Sequence, residues 1–123
     1  MSLQPFANDC SEPLKIICRA LDEKKAADIK VLKVAEISTV TDFFVIASGQ
    51  SLPQLKAMCK AVEKALKTHG TPILGIDKDA QSGWLVVDGF EFIVHIFLPE
   101  VRDTYGLDVI WKDAEVLPTD AFL

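Results

Sequence analysis

Residues 84–111 read WLVVDGFEFIVHIFLPEVRDTYGLDVIW, and the way this stretch folds constrains the arrangement of the rest of the chain. Two β-prone runs, 84–87 and 90–98, are separated only by Asp88-Gly89, a pairing that supplies the positive φ angles of a two-residue hairpin turn. With that turn Val87 faces Phe90, Val86 faces Glu91, Leu85 faces Phe92 and Trp84 faces Ile93. Leu85, Val87, Phe90, Phe92, Val94 and Ile96 then form a wholly apolar side that must lie on a core. The other side, with Trp84, Val86, Glu91, Ile93, His95 and Phe97, mixes aromatic bulk with an acid and an imidazole, and calls for another explanation or a partner. Pro99 stops the sheet, and 103–111 is expected to return over the sheet edge as a short helical or turn segment.

Upstream of the hairpin, Ser11 caps a helix over about 13–25 whose Leu14, Ile17, Cys18 and Leu21 follow the i, i+3, i+4, i+7 spacing of one buried stripe. Residues 29–34 and 42–48 read as strands. The second, DFFVIAS, is so continuously apolar that it belongs in the middle of a sheet, covered on both faces. Ser51 and Gln54 make a capping box for a second helix whose stripe is Leu55, Met58, Cys59, Val62 and Leu66, and Gly70 sits where a helix-ending glycine is expected. A short strand at 72–76 and a polar loop at 77–83 complete the pattern. The expected fold is α+β, a mixed five-stranded sheet packed with helices. The domain limits read as a flexible arm at 1–10, one domain at 11–115 and a fraying tail at 116–123.

A chain of 123 residues, half of them apolar, is long enough to bury one core without disulfides or metals. No apolar run approaches the length of a membrane span, and the N-terminus lacks a secretory pattern, so the expected location is the cytoplasm, with no membrane partner. Cys10, Cys18 and Cys59 cannot all pair and make no CxxC unit, which suggests ordinary thiols and no bound metal. The formal net charge of −5 is unevenly spread. Residues 1–98 hold 12 acids and 11 bases, residues 99–123 hold 6 acids and 2 bases. Such a balance is expected to repel nucleic-acid phosphates and anionic lipid, with no direct sequence-specific nucleic-acid binding, and favours a basic partner surface, or simply keeps the chain in solution.

Catalysis finds weak support. Ser48-Gly49-Gln50-Ser51 puts a glycine before a helix N-terminus, where a phosphate could sit, but neither a Walker lysine nor a dinucleotide fingerprint follows. A magnesium-dependent nucleotidyltransferase or nucleotide-binding protein would need paired carboxylates, and Asp77 and Asp79 are the candidates; they lie in a polar loop rather than on an apolar strand that would aim both into one site. His95 lies mid-strand with no nucleophile motif nearby and is expected to hydrogen-bond to Glu91 or to the facing segment. His69 suits the negative end of a helix dipole. No cofactor is expected. Trp84, Tyr105 and Trp111 offer large contact area at low entropic cost and either anchor a partner or, for Trp111, clamp the last segment to the sheet. A homodimer using the mixed hairpin face is a third possibility.

Lys25-Ala26-Ala27-Asp28, Thr41-Asp42-Phe43-Phe44-Val45-Ile46 running into Gly49-Gln50-Ser51, Trp84-Leu85-Val86-Val87-Asp88, Val94-His95-Ile96-Phe97 and Pro99-Glu100-Val101-Arg102 with Tyr105, Leu107 and Trp111 together resemble the Iojap or ribosomal silencing factor family, over about residues 14–115. The resemblance implies a fold similar to that of nucleotidyltransferases without the catalytic carboxylates, and no enzyme activity. It implies a translation repressor that binds the large ribosomal subunit through its ribosomal protein number fourteen and sterically blocks joining of the small subunit. Carried over by position, the partner surface comprises Trp84, Asp88, His95, Pro99, Glu100, Arg102, Tyr105, Leu107 and Trp111, with Asp108 added as a second acid beside Glu100 to meet basic side chains. Arg102 is expected to brace the segment through an acid such as Asp103.

Overall fold

The computed structural model describes residues 11–38 and 41–123; the expected arm at 1–10, with Cys10, lies outside them. Strand β2 (Phe43–Ser48) organises the sheet. All six of its residues are buried, because it runs parallel to β5 (Phe92–Phe97) on one side and antiparallel to β1 (Ala27–Lys33) on the other. Adding β3 (Gly75–Asp77), β4 (Trp84–Asp88) and β6 (Glu115–Leu117) gives the order β3-β4-β5-β2-β1-β6, in which only the β2–β5 pair is parallel. The mixed α+β class matches expectation, but the sheet has six strands rather than five. The sixth lies in the stretch expected to fray: Val116 and its neighbours pair with β1, while Leu117 and Phe122 close the core from the far end of the chain. A three-residue strand has too few positions to show an alternation, so the local sequence gave no sign of it.

Helices α1 (Ser11–Glu23) and α2 (Leu52–His69) pack on one face of the sheet with the expected stripes, Leu14, Ile17, Cys18 and Leu21 against Leu55, Met58, Cys59, Val62 and Leu66. The Ser51 side chain accepts from the Gln54 backbone N–H at 3.2 Å. The reciprocal half of the expected capping box is redirected, because the Gln54 Oε1 accepts from Gln50 rather than Ser51, and its Nε2 donates to the Lys24 and Lys25 carbonyls. One side chain thus starts α2 and satisfies carbonyls just past the end of α1. Gly70 adopts φ 80° and ends α2 as expected.

The hairpin forms in a register four residues away from the expected one. Trp84 pairs with Phe97, Leu85 with Ile96, Val86 with His95, Val87 with Val94 and Asp88 with Ile93. Neither Asp88 nor Gly89 has positive φ. The turn tip moves to Phe90 and Glu91, with the Gly89 N–H donating to the Phe92 carbonyl at 2.9 Å. Two tertiary demands outweigh the local turn preference: Phe92 is already paired with Phe43 of β2, and the Glu91 carbonyl accepts from the Asp42 and Phe43 amides. Gly89 serves here by lacking a side chain, since a Cβ would press into the Phe92 ring. Because side chains alternate with period two, a shift of four preserves both faces. Leu85, Val87, Phe92, Val94 and Ile96 still lie on the helical core, and only Phe90 leaves it, to stand exposed at the tip.

Candidate docking surface

The mixed face is covered by the chain itself. After Leu98, two short helices, α3 (Pro99–Tyr105) and α4 (Leu107–Ile110), cross the side of the sheet opposite α1 and α2; they are joined by Gly106 at φ 63°, a left-handed corner that glycine adopts without penalty. Beneath them lie Leu32, Val34, Phe44, Ile46, Phe97 and Ala114, with Trp84, Ile93, Val101, Leu107 and Trp111 packed at the edge. The expected short segment at 103–111 is therefore two helices that begin at Pro99, too short for a readable apolar period.

Within this layer the aromatic groups form a connected set. The Trp84 indole N–H donates to His95 Nδ1 at 3.1 Å, so the facing strand, not Glu91, supplies the histidine's partner. Phe44 meets His95 edge-on at 4.9 Å between centroids and Trp111 edge-on at 5.1 Å. Trp84 also contacts Phe97 at 4.9 Å and Tyr105 at 4.8 Å. Since the indole can only donate, Nδ1 must be the accepting nitrogen and the neutral imidazole carries its proton on Nε2. That Nε2 is buried without a hydrogen-bond partner among the described residues. Burial pushes the imidazole pKa down to about 4, so at neutral pH this is an uncharged structural ring.

Arg102 fixes α3 and α4 to the sheet. Its Nε and Nη2 donate to the two Asp108 carboxylate oxygens at 3.0 and 3.2 Å, and its Nη1 donates to Ser48 Oγ at 2.8 Å and to the Asp28 carbonyl at 2.9 Å. The Asp28 carbonyl is free because β1 bulges between Ala27 and Lys30, with Asp28 at φ 51°. Thr119 takes the adjacent Ile29 carbonyl at 3.0 Å. The brace thus runs through Asp108 rather than the expected Asp103, which is exposed. Asp108 is six positions beyond Arg102, and the Gly106 corner brings them together. Arg102, and secondarily Lys30 at 3.2 Å, hold the Asp108 carboxyl below the usual carboxylate range.

The structure therefore gathers Trp84, His95, Tyr105, Leu107 and Trp111 into one layer, with Arg102 and Asp108 as its clamp. Glu100 is exposed in the first turn of α3, beside the half-buried Pro99. Asp88 is not part of the set; it lies at the other end of β4, roughly 13 Å from Trp84 by strand rise. Phe44, which links His95 to Trp111, was not singled out in the sequence, although alternation along β2 puts it on the mixed face with Ile46 and Ser48. Val109 and Ile110 on α4 carry no signal in the sequence; they are 71 % and 65 % exposed, as Tyr105 on α3 is 54 % exposed, so the two clamped helices present large apolar side chains outward.

The family model described as "Ribosomal silencing factor during starvation" matches residues 7–122. The chain belongs to the ribosomal silencing factor family. Among its relatives, "Ribosomal silencing factor RsfS" of Halalkalibacterium halodurans is 30 % identical over 112 residues, covering 91 % of this chain and 96 % of that one. "Mitochondrial assembly of ribosomal large subunit protein 1" of Mus musculus is 33 % identical over 124 aligned residues, covering 89 % of this chain and 54 % of that longer protein. In three dimensions this silencing-factor chain is similar to a crystal structure from Chromobacterium violaceum, with a TM-score of 0.78 and 32 % identity over 82 % of this chain and 84 % of that one.

Proposed function

We propose that this chain represses translation by binding the large ribosomal subunit at its ribosomal protein number fourteen and excluding the small subunit by volume. The observation that carries the reading is the α3–α4 surface: Tyr105, Val109 and Ile110 stand exposed on helices held by the Arg102–Asp108 clamp, among the exposed acids Glu100 and Asp103. A preorganised apolar patch with an acidic surround suits a basic protein partner, the acids raising the association rate and the apolar residues slowing release. Trp84 packs against Tyr105, and Leu107 and Trp111 tie α4 into the layer that holds His95. Asp108, engaged by Arg102 and Lys30, orients α4, whereas Glu100 and Asp103 are the carboxylates available to meet basic side chains.

The nucleotidyltransferase alternative has less support. Asp77 ends β3 and Asp79 lies in the following loop, and each carboxylate accepts a backbone N–H two residues on, Asp77 from Asp79 at 3.1 Å and Asp79 from Gln81 at 3.3 Å. These bonds commit an oxygen of each carboxylate to shaping a turn.

The test is sedimentation of the protein with isolated large subunits, followed by addition of small subunits under conditions that permit joining. The expected result is co-sedimentation and fewer joined ribosomes, both lost in a V109D/I110D variant that keeps its fold by circular dichroism. No association at micromolar wild-type protein would overturn the ribosomal reading, and full activity of the variant would overturn the assigned surface.

A further inference from the structure

The two faces of the sheet differ in charge as well as in covering. Across the sheet from the acidic α3 and α4 lies α2, which carries Lys56, Lys60, Lys64 and Lys67 against a single acid, Glu63. Glu63 is occupied by Lys67 at 3.0 Å and Lys78 at 3.1 Å. Lys56, Lys60 and Lys64, all exposed, form no ion pair among the described residues. Being four apart they lie in one row along the helix, roughly 6 Å between successive positions. The row is a crest. Lys60 and Lys64 border the groove between α1 and α2, while Lys56 and Lys60 border a second hollow beside Lys78 and Leu85.

We propose that this lysine crest binds the phosphate backbone of RNA without reading its sequence, as a second contact of the chain with a ribosomal target; the target, though not the crest's chemistry, rests on the reading above. Ammonium groups on flexible stems act as point charges for phosphates. The groove beside the crest has no Phe, Tyr, Trp or arginine to stack or fork against a base, and its one ring, His69, sits at the last turn of α2 beyond the lysine row, so the contact is independent of sequence. An acidic helix is the weaker fit. The groove is lined by Ala20, Ala57, Ala61 and Ala65 with Ile16 as its one large apolar residue, so it offers little to anchor a partner helix. The net negative charge of the whole chain does not oppose this contact, because Glu100, Asp103 and Asp108 of the acidic quarter lie on α3 and α4, across the sheet from the crest.

The experiment measures fluorescence anisotropy of a short mixed-sequence single-stranded RNA with the full chain across a salt series, alongside K56Q/K60Q/K64Q and, as a control on the opposite face, K112Q. Three contacts at a slope of about 0.7 each weaken wild-type binding roughly twenty-fold between 50 and 200 mM salt. The triple variant is expected to lose most of the affinity and the slope, K112Q neither, and a scrambled RNA is expected to bind as the first does. Equal RNA affinity for wild type and triple variant would overturn the proposal, as would an acidic helical peptide that binds the crest as tightly as RNA. Binding of isolated ribosomal protein number fourteen is measured on the same proteins. Its retention by the triple variant marks the crest as a separate contact, and its joint loss would overturn that separation. Wild type that holds RNA but not protein fourteen would remove the docking reading and leave the crest intact.

Discussion

Lowering the pH from 7 to 5 should cost this protein about 2 kcal/mol through His95 alone. The imidazole is buried among Trp84, Phe44 and Phe97, its Nδ1 committed to the indole N–H, and burial lowers its pKa from 6.5 to about 4. A histidine whose folded pKa is depressed is neutral in the native state and takes up its proton on unfolding. Its contribution is therefore intact above about 6.5, falls as pH drops toward 4, and is fully lost below that. The whole window spans about 2.5 units, or about 3 kcal/mol at 1.36 kcal/mol per unit. At pH 5 the unfolded imidazole is almost fully protonated and the folded one only about one part in ten, which leaves about 2 kcal/mol of that range already lost. The assay is urea denaturation of wild type and His95→Gln at pH 7, 6 and 5. Carboxylates titrate alike in both proteins, so the difference between the two curves isolates the histidine. His95→Gln should be less stable at pH 7 and should close the gap by about 2 kcal/mol at pH 5. Parallel loss of stability in the two proteins would refute the argument that His95 is held neutral by burial.

Asp108→Asn should destabilise the fold by about 2 kcal/mol at neutral pH, because it leaves the buried Arg102 guanidinium without its carboxylate, and should loosen α4 first; amide hydrogen exchange at 107–111 would report it, and unchanged protection there would count against the clamp. Trp111→Ala removes the edge contact with Phe44 and should cost about 2 kcal/mol in urea unfolding, less than a fully buried tryptophan because the ring is only half covered. Gly89→Ala should destabilise by at least about 1 kcal/mol because its Cβ meets the Phe92 ring in the core, whereas a glycine kept only for backbone freedom would show no such steric cost; an unchanged urea midpoint would reject the packing role.

The hairpin shows how far local signals reach. The alternation of 84–87 with 90–98 correctly divided core face from mixed face, and that division survived because period two is insensitive to a shift of four. The turn is set from outside the hairpin. Asp-Gly is a strong local preference, but pairing of Phe92 with Phe43 and of Glu91 with Asp42 involves β2, about fifty residues away, and no window over the hairpin contains it. The candidate surface was legible in the same uneven way. Trp84, Tyr105 and Trp111 stand out as aromatic residues with contact area to offer, Leu107 comes only from the family resemblance, and all four share one layer. Val109 and Ile110 were hidden in a four-residue helix, and Asp88 shares a strand with Trp84 without sharing its site.

By itself the sequence determined what depends on period and composition: the two helical stripes, the doubly covered strand β2, the α+β class, the family resemblance and the acidic C-terminal quarter. Tertiary structure decided the hairpin register, the sixth strand, the Arg102–Asp108 clamp and the separation of lysine crest from acidic face across the sheet. Each of these joins groups that become neighbours only after the chain has closed a long loop or turned a corner such as Gly106. Local propensities of a fraction of a kcal/mol to about 1 kcal/mol per residue yield there to burial and ladder pairing summed over many residues.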